Sequence, residues 1–407
     1  MLERIDADLA AHLLLQCIAE PGTEEIPLSD GAGRVLAQDM YASIPMPPFD
    51  RSPYDGYAVR AADTAHASKE NPVTLRIVEE IRAGDVPRCR VDAGTAAKIL
   101  TGAPIPEGAD AVVKFEDTVF TLTALTIMAP VLPGTNIAYA GEDLPAGRQL
   151  AGRGERISAP VAGALAGQGL ASVHVFRKPD ITVLSTGSEL LKTGYPPEAA
   201  KIYNSNVYTL CGMLAAEGTL PRDGGTVEDD PHAIAAAIEN ALSCADIVVT
   251  TGGVSVGDYD YMREAARLLG AQPLFWRVNI RPGGSILACE KGGKLLLCLS
   301  GNAGAAVVGF LRVVLPGIRK SCGRRDVFLE AVQVRLRESF HKKSPMTRML
   351  RGRLLIEDAE AFIVVGGSQG GGDIASMIDF DLLGEIQAGS PPLEAGTIIT
   401  AHRTPQG

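Results

Sequence analysis

The sequence has no excess of basic residues, no paired cysteine motif and no long apolar run. Its 407 residues carry a formal net charge of −10, whereas a nucleic-acid footprint needs clustered Lys and Arg. The seven cysteines are scattered and include no C-x-x-C pair, which predicts reduced thiols rather than disulfides or a zinc site. A membrane span needs about 18 uninterrupted apolar residues, and the acidic N-terminus lacks a signal-peptide cleavage site. We therefore expect a soluble cytoplasmic protein without a nucleic-acid or membrane partner.

Histidine is also scarce. None of the six histidines lies near a candidate nucleophile in the chain. Neither a Ser-His-Asp or Cys-His arrangement nor a histidine-ligated metal can be argued from the sequence. Any chemistry is expected to be electrostatic and metal-assisted.

Hydrophobic residues make up 46% of the chain, enough for several buried cores, and the pattern predicts a multidomain α/β plus β fold. Apolar β-type runs alternate with helical patterns over residues 179–322, which predicts a three-layer α/β domain with a mostly parallel sheet and ligands at its strand ends. Short β-type runs between glycines and prolines predict a β-rich inserted domain at 44–135. Residues 1–43 and 136–178 form a discontinuous N-terminal domain in this interpretation, and 323–407 a small C-terminal β domain.

The segment ADIVVTTGGVSVGDYDYM is typical of a strand, a glycine turn and a helix start. Ile247 to Thr251 are apolar or β-branched, which predicts a strand buried on both faces. Gly252 and Gly253 then break the strand ahead of a helix expected from Tyr261. Open α/β sheets present backbone N–H groups to an anion in this way.

The same loop carries Ser255, Asp258 and Asp260. Two carboxylates repel a phosphate unless a cation lies between them, so the loop indicates a phosphorylated ligand held with a divalent metal. The alternative is an acidic, solvated loop that caps the following helix. This stretch alone does not decide between the two.

A second strand end, LSTGSEL, repeats the pattern with Ser185, Thr186 and Glu189. Both segments place Thr-Gly at the C-terminal end of a central strand, so both are expected to line one crevice. Asp229 and Asp230 precede a helix start and are candidates to point their carboxylates from that helix N-terminus. The alternative is that either one simply caps that helix.

Basic residues and a further turn complete this candidate site. Arg277 and Arg281 stand four residues apart at a strand end in RVNIRPGG, and fork-shaped guanidinium groups suit phosphate or other oxyanions. The alternative is a pair of exposed arginines on a strand edge. Ser300, Gly301 and Asn302 begin a helix after the strand KLLLCL, where free N–H groups form a generic anion site.

A proline-rich loop, SIPMPPFDRSPYDGYAV, lies outside the α/β domain. Its prolines forbid a regular helix, which favours an ordered functional loop. Together with TGAPIPEGAD and GEDL it adds carboxylates and hydroxyls that are able to reach a site in another subunit. The alternative is a set of proline-stiffened turns with capping acids.

The motifs PPFDRSPYDGYAV, TGAPIPEGADAVV, GEDL, STGSEL, NSN, TTGGVSVGDYDY, RPGG and SGN occur in this order along nearly the whole chain. In this order the chain resembles the molybdopterin molybdenumtransferase family, the MoeA proteins related to the C-terminal domain of gephyrin. The resemblance implies an elongated four-domain homodimer. Its active site would lie between the molybdopterin-binding α/β domain and the second domain of the partner subunit. The implied reaction inserts molybdate into adenylylated molybdopterin, with Mg²⁺ assisting and AMP released.

The resemblance also implies residue roles. Catalytic roles fall to Asp55, Thr101, Asp143, Glu189 and Asp260. Metal ligands are expected among Asp229, Asp258 and Asp260. Substrate binding is expected from Ser185, Thr186, Gly252, Gly253, Ser255, Arg277, Arg281, Ser300, Gly301 and Asn302. Arg348 or Arg351 matches a fourth-domain arginine of the family that helps to hold the oxyanion, and is expected to bind substrate as well. The pterin supplies the dithiolene sulfurs, so no cysteine is required.

Three motifs depart from the family pattern. Arg51 replaces the asparagine of PPFDNS, Gly284 replaces the lysine of the PGKP turn, and SGNA replaces PGNP. A charge-assisted contact from that lysine to phosphate or molybdate would be worth about 1–3 kcal/mol, and Gly284 forfeits it. This motivates an alternative function, a divergent paralogue that binds molybdopterin as a carrier or insertion helper without catalysis. A scaffold like gephyrin is a third hypothesis.

Overall fold

The computed structural model describes residues 2–254 and 261–405. The chain divides into two compact units. The first contains the residues up to Gln38, Arg153–Ala159 and the residues from Ala171 onward, and the second contains Asp39–Gly152 and Pro160–Leu170. This division does not test the four domain boundaries drawn from the sequence, which stay a prediction.

The strands of the described residues follow in chain order. They are β1 (Leu2–Ile5), β2 (Thr23–Pro27), β3 (Met40–Tyr41), β4 (Gly56–Val59), β5 (Val73–Ile81), β6 (Thr95–Ile99), β7 (Ala111–Lys114), β8 (Thr118–Phe120), β9 (Ala124–Ile127), β10 (Gln149–Ala151), β11 (Ser172–Phe176), β12 (Asp180–Thr186), β13 (Leu190–Leu191), β14 (Ile202–Tyr203), β15 (Leu220–Val227), β16 (Ile247–Thr251), β17 (Gln272–Val278), β18 (Ile280–Arg281), β19 (Leu287–Lys291), β20 (Lys294–Leu299), β21 (Ala331–Leu336), β22 (Thr347–Glu357), β23 (Glu360–Val364), β24 (Leu382–Ile386) and β25 (Ile398–Arg403).

The helices are fewer. The α-helices are α1 (Ala7–Cys17), α2 (Ala159–Gly167), α3 (Asn206–Ala216), α4 (Pro231–Cys244), α5 (Tyr261–Leu268), α6 (Ala303–Gly309) and α7 (Leu315–Ser321), with a π-helical stretch, Phe310–Val314, between the last two. Short 3₁₀ turns occur at Leu28–Asp30, Ala61–Thr64, Phe115–Asp117 and Ala375–Met377. Among residues 2–254 and 261–405, no helix is long and apolar enough to cross a membrane.

Within its described residues the first unit holds a seven-stranded sheet in the order β1-β17-β19-β20-β16-β12-β15. Strands β15, β12, β16 and β20 pair in parallel, while β19 runs antiparallel to both of its neighbours. All residues of Ile247–Thr251 are buried, as a strand covered on both faces requires. The predicted mostly parallel sheet is confirmed.

Helices cover both faces of this sheet. Val249 points into a core shared with α1, α3 and α6, whereas Val248 points into a second core with α4 and α5. Successive strand side chains alternate between faces, so one apolar run serves both cores. The predicted three-layer architecture is confirmed. Because the carboxyl ends of parallel strands share an edge, β12, β15, β16 and β20 deliver their following loops to one place.

The C-terminal strands form a sheet in the order β18-β22-β23-β21-β25-β24, and an additional pairing of β22 with β24 closes five of them into a ring. Both faces of strand β22 pack into hydrophobic cores. Leu350 packs into the core of this ring, whereas Met349 packs into the α/β core. Side chains that share the parity of Met349 therefore face the α/β domain.

The second unit contains a sheet in the order β7-β4-β6-β5-β9-β8. Strand β4 carries the GYAV part of the proline-rich motif and is fully buried. A Cβ at Gly56 would lie 2.1 Å from the carbonyl oxygen of Val113, so only glycine allows this close approach of the backbone. The predicted β-rich character of this region is confirmed.

Candidate functional site

The two Thr-Gly strand ends lie side by side. Strands β12 and β16 pair so that Ser185 stands opposite Thr251, and the Thr186 hydroxyl donates to the Thr251 carbonyl at 3.4 Å. Gly252 has φ +95°, and a Cβ there would lie 2.2 Å from the Thr186 carbonyl oxygen. This pairing places both ends at one edge of the sheet, and Gly252 is what lets the two turns touch. That the two ends line one crevice stays a prediction.

Two carboxylates flank the turn after β12. The Ser188 N–H donates to Asp229 Oδ2 at 3.3 Å, and the Glu189 carboxylate folds back so that a Cβ at Gly187 would lie 2.7 Å from Oε2. Asp230 caps α4 by accepting the N–H three residues later at 2.7 Å. The capping alternative is therefore right for Asp230, and Asp229 is the acid that turns toward the strand edge.

Asp258 and Asp260, the acids predicted for the loop after β16, lie outside the described residues, as does Ser255. Among the residues that are described, no group of three or more His, Cys, Asp or Glu side chains is arranged to hold a metal ion. Mg²⁺ in proteins uses one or two carboxylates together with substrate phosphates. Glu189 and Asp229 supply that number of carboxylates from the described part of the edge.

The SGN turn after β20 packs against the glycine turn after β16. A Cβ at Gly301 would lie 3.4 Å from the Cα of Gly252. The Asn302 N–H donates to the Ser300 hydroxyl oxygen at 3.2 Å, so this N–H is already bonded, contrary to the expectation of a free group. Asn206 of the NSN motif donates its side-chain amide to the Gly301 carbonyl at 2.7 Å. The NSN motif thus holds the turn, a role that its sequence did not predict.

Arg351 places a guanidinium group at the beginning of α6. Its residue is 1% exposed, and Nη2 donates to the Gly370 carbonyl at 2.8 Å. A Cβ at Gly304 would lie 2.1 Å from Nη1, so the group covers the second residue of the helix. Nε and Nη1 have no hydrogen-bond partner among the described residues. Burial lowers the pKa of Arg351, and the charge of Asp373 acts in the opposite direction.

The other candidate on β22, Arg348, lies three residues earlier and thus on the opposite strand face. Its guanidinium carbon stands 5.7 Å from the ring centroid of Phe340, and β18 places Arg281 at the same register. Burial and then the charge of Arg281 lower the pKa of Arg348. The sequence left Arg348 and Arg351 as equal candidates, and only Arg351 faces the α/β domain.

Arg277 stands in a strained backbone conformation near the end of β17. Its φ is +63°, a region that costs a non-glycine residue about 1–3 kcal/mol and is concentrated at functional sites. Its guanidinium carbon lies 5.1 Å from the centroid of Trp276, and its buried Nε lacks a hydrogen-bond partner within the described residues. The next turn leaves no room at Gly284, where a Cβ would lie 2.3 Å from a backbone carbonyl oxygen.

In the second unit the proline-rich loop meets the TGAP segment through Asp55. Oδ1 of Asp55 accepts the Thr101 N–H at 2.7 Å and the Thr101 hydroxyl at 2.8 Å. These two hydrogen bonds, the backbone one first, hold the pKa of Asp55 below its usual range. These two residues, each predicted to have a catalytic role, are therefore in contact, and the carboxylate is kept ionised.

The GEDL segment is hydrogen-bonded to the first part of the same loop. The Asp143 N–H donates to the Met46 carbonyl at 3.1 Å, and the Arg51 and Ala138 backbones exchange two hydrogen bonds of 2.9 Å. Arg51, one of the departures from the family pattern, therefore joins the loop to its neighbours through its backbone. Three segments far apart in sequence are assembled here into one loop cluster.

These features define a class of protein: a multidomain protein with a three-layer α/β domain and further sheets outside it. Residues 182–320 match the family described as "Probable molybdopterin binding domain", and residues 4–169 match "MoeA N-terminal region (domain I and II)". The molybdopterin molybdenumtransferase of Staphylococcus epidermidis is 35% identical over 92% of this chain and 89% of its own length. The Staphylococcus aureus protein of the same name is also 35% identical, with the same coverage.

Solved structures agree with these relatives. Two structures of molybdopterin biosynthesis MoeA protein from Pyrococcus horikoshii give TM-scores of 0.83 and 0.81, at 31% and 30% identity. Each covers 98% of this chain, which covers 99% and 100% of theirs. The chain belongs to the molybdopterin molybdenumtransferase family, the MoeA proteins of molybdenum cofactor biosynthesis.

Proposed function

We propose that this protein inserts molybdate into adenylylated molybdopterin, with Mg²⁺ assisting and AMP released. One observation carries the proposal: the buried Arg351 guanidinium presents two unpartnered nitrogens beside the α6 start. A buried cation with unsatisfied donors is costly unless an anion completes it. Molybdate is a tetrahedral dianion, and arginine is the side chain best suited to oxyanions.

The carboxylates at the strand edge give the second part of the proposal. Glu189 and Asp229 from the described residues, joined by the predicted ligands Asp258 and Asp260, would hold Mg²⁺. A bound Mg²⁺ would neutralise the pyrophosphate of the adenylylated pterin. The close turns at Gly252 and Gly301 allow the backbone to approach such a substrate without side-chain interference.

A homodimer with a shared site is the third part, carried by the family resemblance. In it, the ionised Asp55 with Thr101, and Asp143 from the same loop cluster, would complete the site of the partner subunit. Asp55 is suited to this role because the Thr101 hydrogen bonds keep it charged. We also propose a cytoplasmic location and delivery of the product to a molybdoenzyme or another protein of the cofactor pathway. Light scattering should give twice the chain mass of 42.7 kDa.

The decisive assay mixes the purified protein with adenylylated molybdopterin, molybdate and Mg²⁺. AMP release that requires all three components is the expected result. Omission of molybdate, or removal of Mg²⁺ by a chelator, provides the control. Failure to release AMP above background would refute the proposal, and tight pterin binding without AMP release would support the non-catalytic carrier instead.

A further inference from the structure

Gln369 continues a strand ladder that the backbone leaves unfinished. The pairing of β22 with β23 ends at the Arg353–Val364 pair. Beyond it, the Gln369 side chain accepts the Arg351 N–H at 2.8 Å and donates to the Arg351 carbonyl at 3.1 Å. The same amide nitrogen also donates to the Gly366 carbonyl at 2.9 Å. A side-chain amide thus replaces the missing peptide group and bonds both the N–H and the carbonyl of Arg351.

The loop that carries Gln369 also holds the far end of the arginine. Nη2 of Arg351 donates to the Gly370 carbonyl at 2.8 Å. The next carbonyl, that of Gly371, accepts the Ala305 N–H at 3.0 Å. The loop is therefore bonded to both β22 and α6. Gln369 directly precedes these two attachments, in the glycine-rich run GGSQGGGD.

This arrangement satisfies every Arg351 group except Nε and Nη1. The backbone N–H and carbonyl are bonded to Gln369, and Nη2 is bonded to the loop, so the backbone and one end of the side chain are both held in place. A cation that is already held in place needs no reorganisation when an anion arrives. The two unpartnered nitrogens are what the loop leaves available.

We infer that Gln369 is a positioning residue for oxyanion recognition and acts through Arg351. The inference rests on the proposed function, because it assigns Arg351 to the molybdate step. The Gln369 side chain bonds backbone groups, and its proposed role involves no contact with substrate. Its loss should therefore weaken molybdate binding selectively, without changing recognition of the pterin nucleotide.

The first test replaces Gln369 with alanine and measures AMP release at varied molybdate. The apparent KM for molybdate should rise about tenfold, the effect of losing one well-placed charge-assisted contact. The kcat at saturating molybdate and the KM for adenylylated molybdopterin should stay within about twofold of the parent values. Gln369→Glu, which keeps the acceptor but loses the amide donor, should raise the molybdate KM at least as much. A fall in kcat together with similar rises in both KM values would instead indicate a purely structural role and overturn the inference.

The matched control is Gln333→Ala, because Gln333 is an exposed glutamine on β21 whose side chain donates to the Thr400 hydroxyl, away from Arg351. It should leave the molybdate KM unchanged. The second test is a double-mutant cycle. In an Arg351→Met background, Gln369→Ala should add less than about twofold, because its effect passes through the arginine. Full additivity of the two changes would overturn the inference.

Direct titration of molybdate by calorimetry separates this inference from the proposed function. If the parent protein binds molybdate but releases no AMP, the proposed reaction fails, while a weaker molybdate Kd in Gln369→Ala still supports the positioning role. If the parent releases AMP and Gln369→Ala keeps the parent molybdate Kd, the positioning role alone fails. If the parent neither binds molybdate nor releases AMP, both fail.

Discussion

Replacement of Gly304 by alanine should separate oxyanion binding from protein stability. Gly304 is the second residue of α6, directly under the Arg351 guanidinium. An added Cβ would lie 2.1 Å from Arg351 Nη1 and 3.0 Å from the Gly371 carbonyl oxygen. The carbonyl belongs to a loop that is bonded to the helix, so the guanidinium is the group that must move.

The two effects of this change have different sizes. Overpacking costs about 1–3 kcal/mol, and the helix gains about 1 kcal/mol from alanine in place of glycine. The net loss of stability should therefore be only about 0–2 kcal/mol. Loss of a charge-assisted hydrogen bond to molybdate should cost about 1.5–3 kcal/mol. At 1.4 kcal/mol for each factor of ten, molybdate affinity should fall by about 10–150-fold.

Two measurements check this expectation: calorimetric titration with molybdate, and denaturant unfolding of the same preparations. Gly212→Ala is the matched control, because Gly212 lies within α3 with nothing inside 4 Å of its added Cβ. That variant should be up to about 1 kcal/mol more stable with unchanged molybdate affinity. Parent-like molybdate affinity in Gly304→Ala would refute the assignment of Arg351 to the oxyanion.

Three further changes probe other parts of the structure. Gly284→Lys, which restores the family residue, should lower the free energy of unfolding by about 1–3 kcal/mol or more in urea unfolding. The reason is that its Cβ would lie 2.3 and 2.5 Å from two backbone carbonyl oxygens. Unchanged stability would show that the turn accommodates lysine. Glu217→Ala should cost about 3–5 kcal/mol in the same assay, because Glu217 accepts hydrogen bonds of 3.0 and 2.9 Å from the buried Arg319; a loss below about 1 kcal/mol would mean that the arginine finds another partner. Thr101→Ala should raise the pKa of Asp55 in an NMR titration, since a hydrogen bond that lowers it is removed. The stability that this depressed pKa provides is present above the unfolded-state pKa and is lost as pH falls through the folded-state pKa. The stability of the Thr101→Ala variant should therefore depend less on pH over that range.

Local sequence patterns were sufficient for several elements of the α/β domain. The apolar run Ile247–Thr251 is a buried strand with the bounds that its composition predicted. The acid-proline start and apolar periodicity of residues 231–244 likewise mark α4. These features depend on neighbouring residues, whose spacing along the chain is itself the physical signal. The strand-end glycines were readable for the same reason, because a turn is a local conformation.

The choice between chemically similar residues required the tertiary structure. Arg348 and Arg351 are equivalent in the sequence, but side chains alternate along a strand, so the two arginines lie on opposite faces of β22. Only the packing of β22 on the α/β core shows that the face with Arg351 is directed to the α/β domain. Gln369 carries no periodic signal and acquires its role from a ladder that stops at one particular pair. Likewise, Asp230 caps α4 while Asp229 reaches the Ser188 N–H across 41 residues of chain. Such roles are set by register and by side-chain contacts between distant segments. A one-dimensional pattern contains neither, because both exist only once the strands have paired.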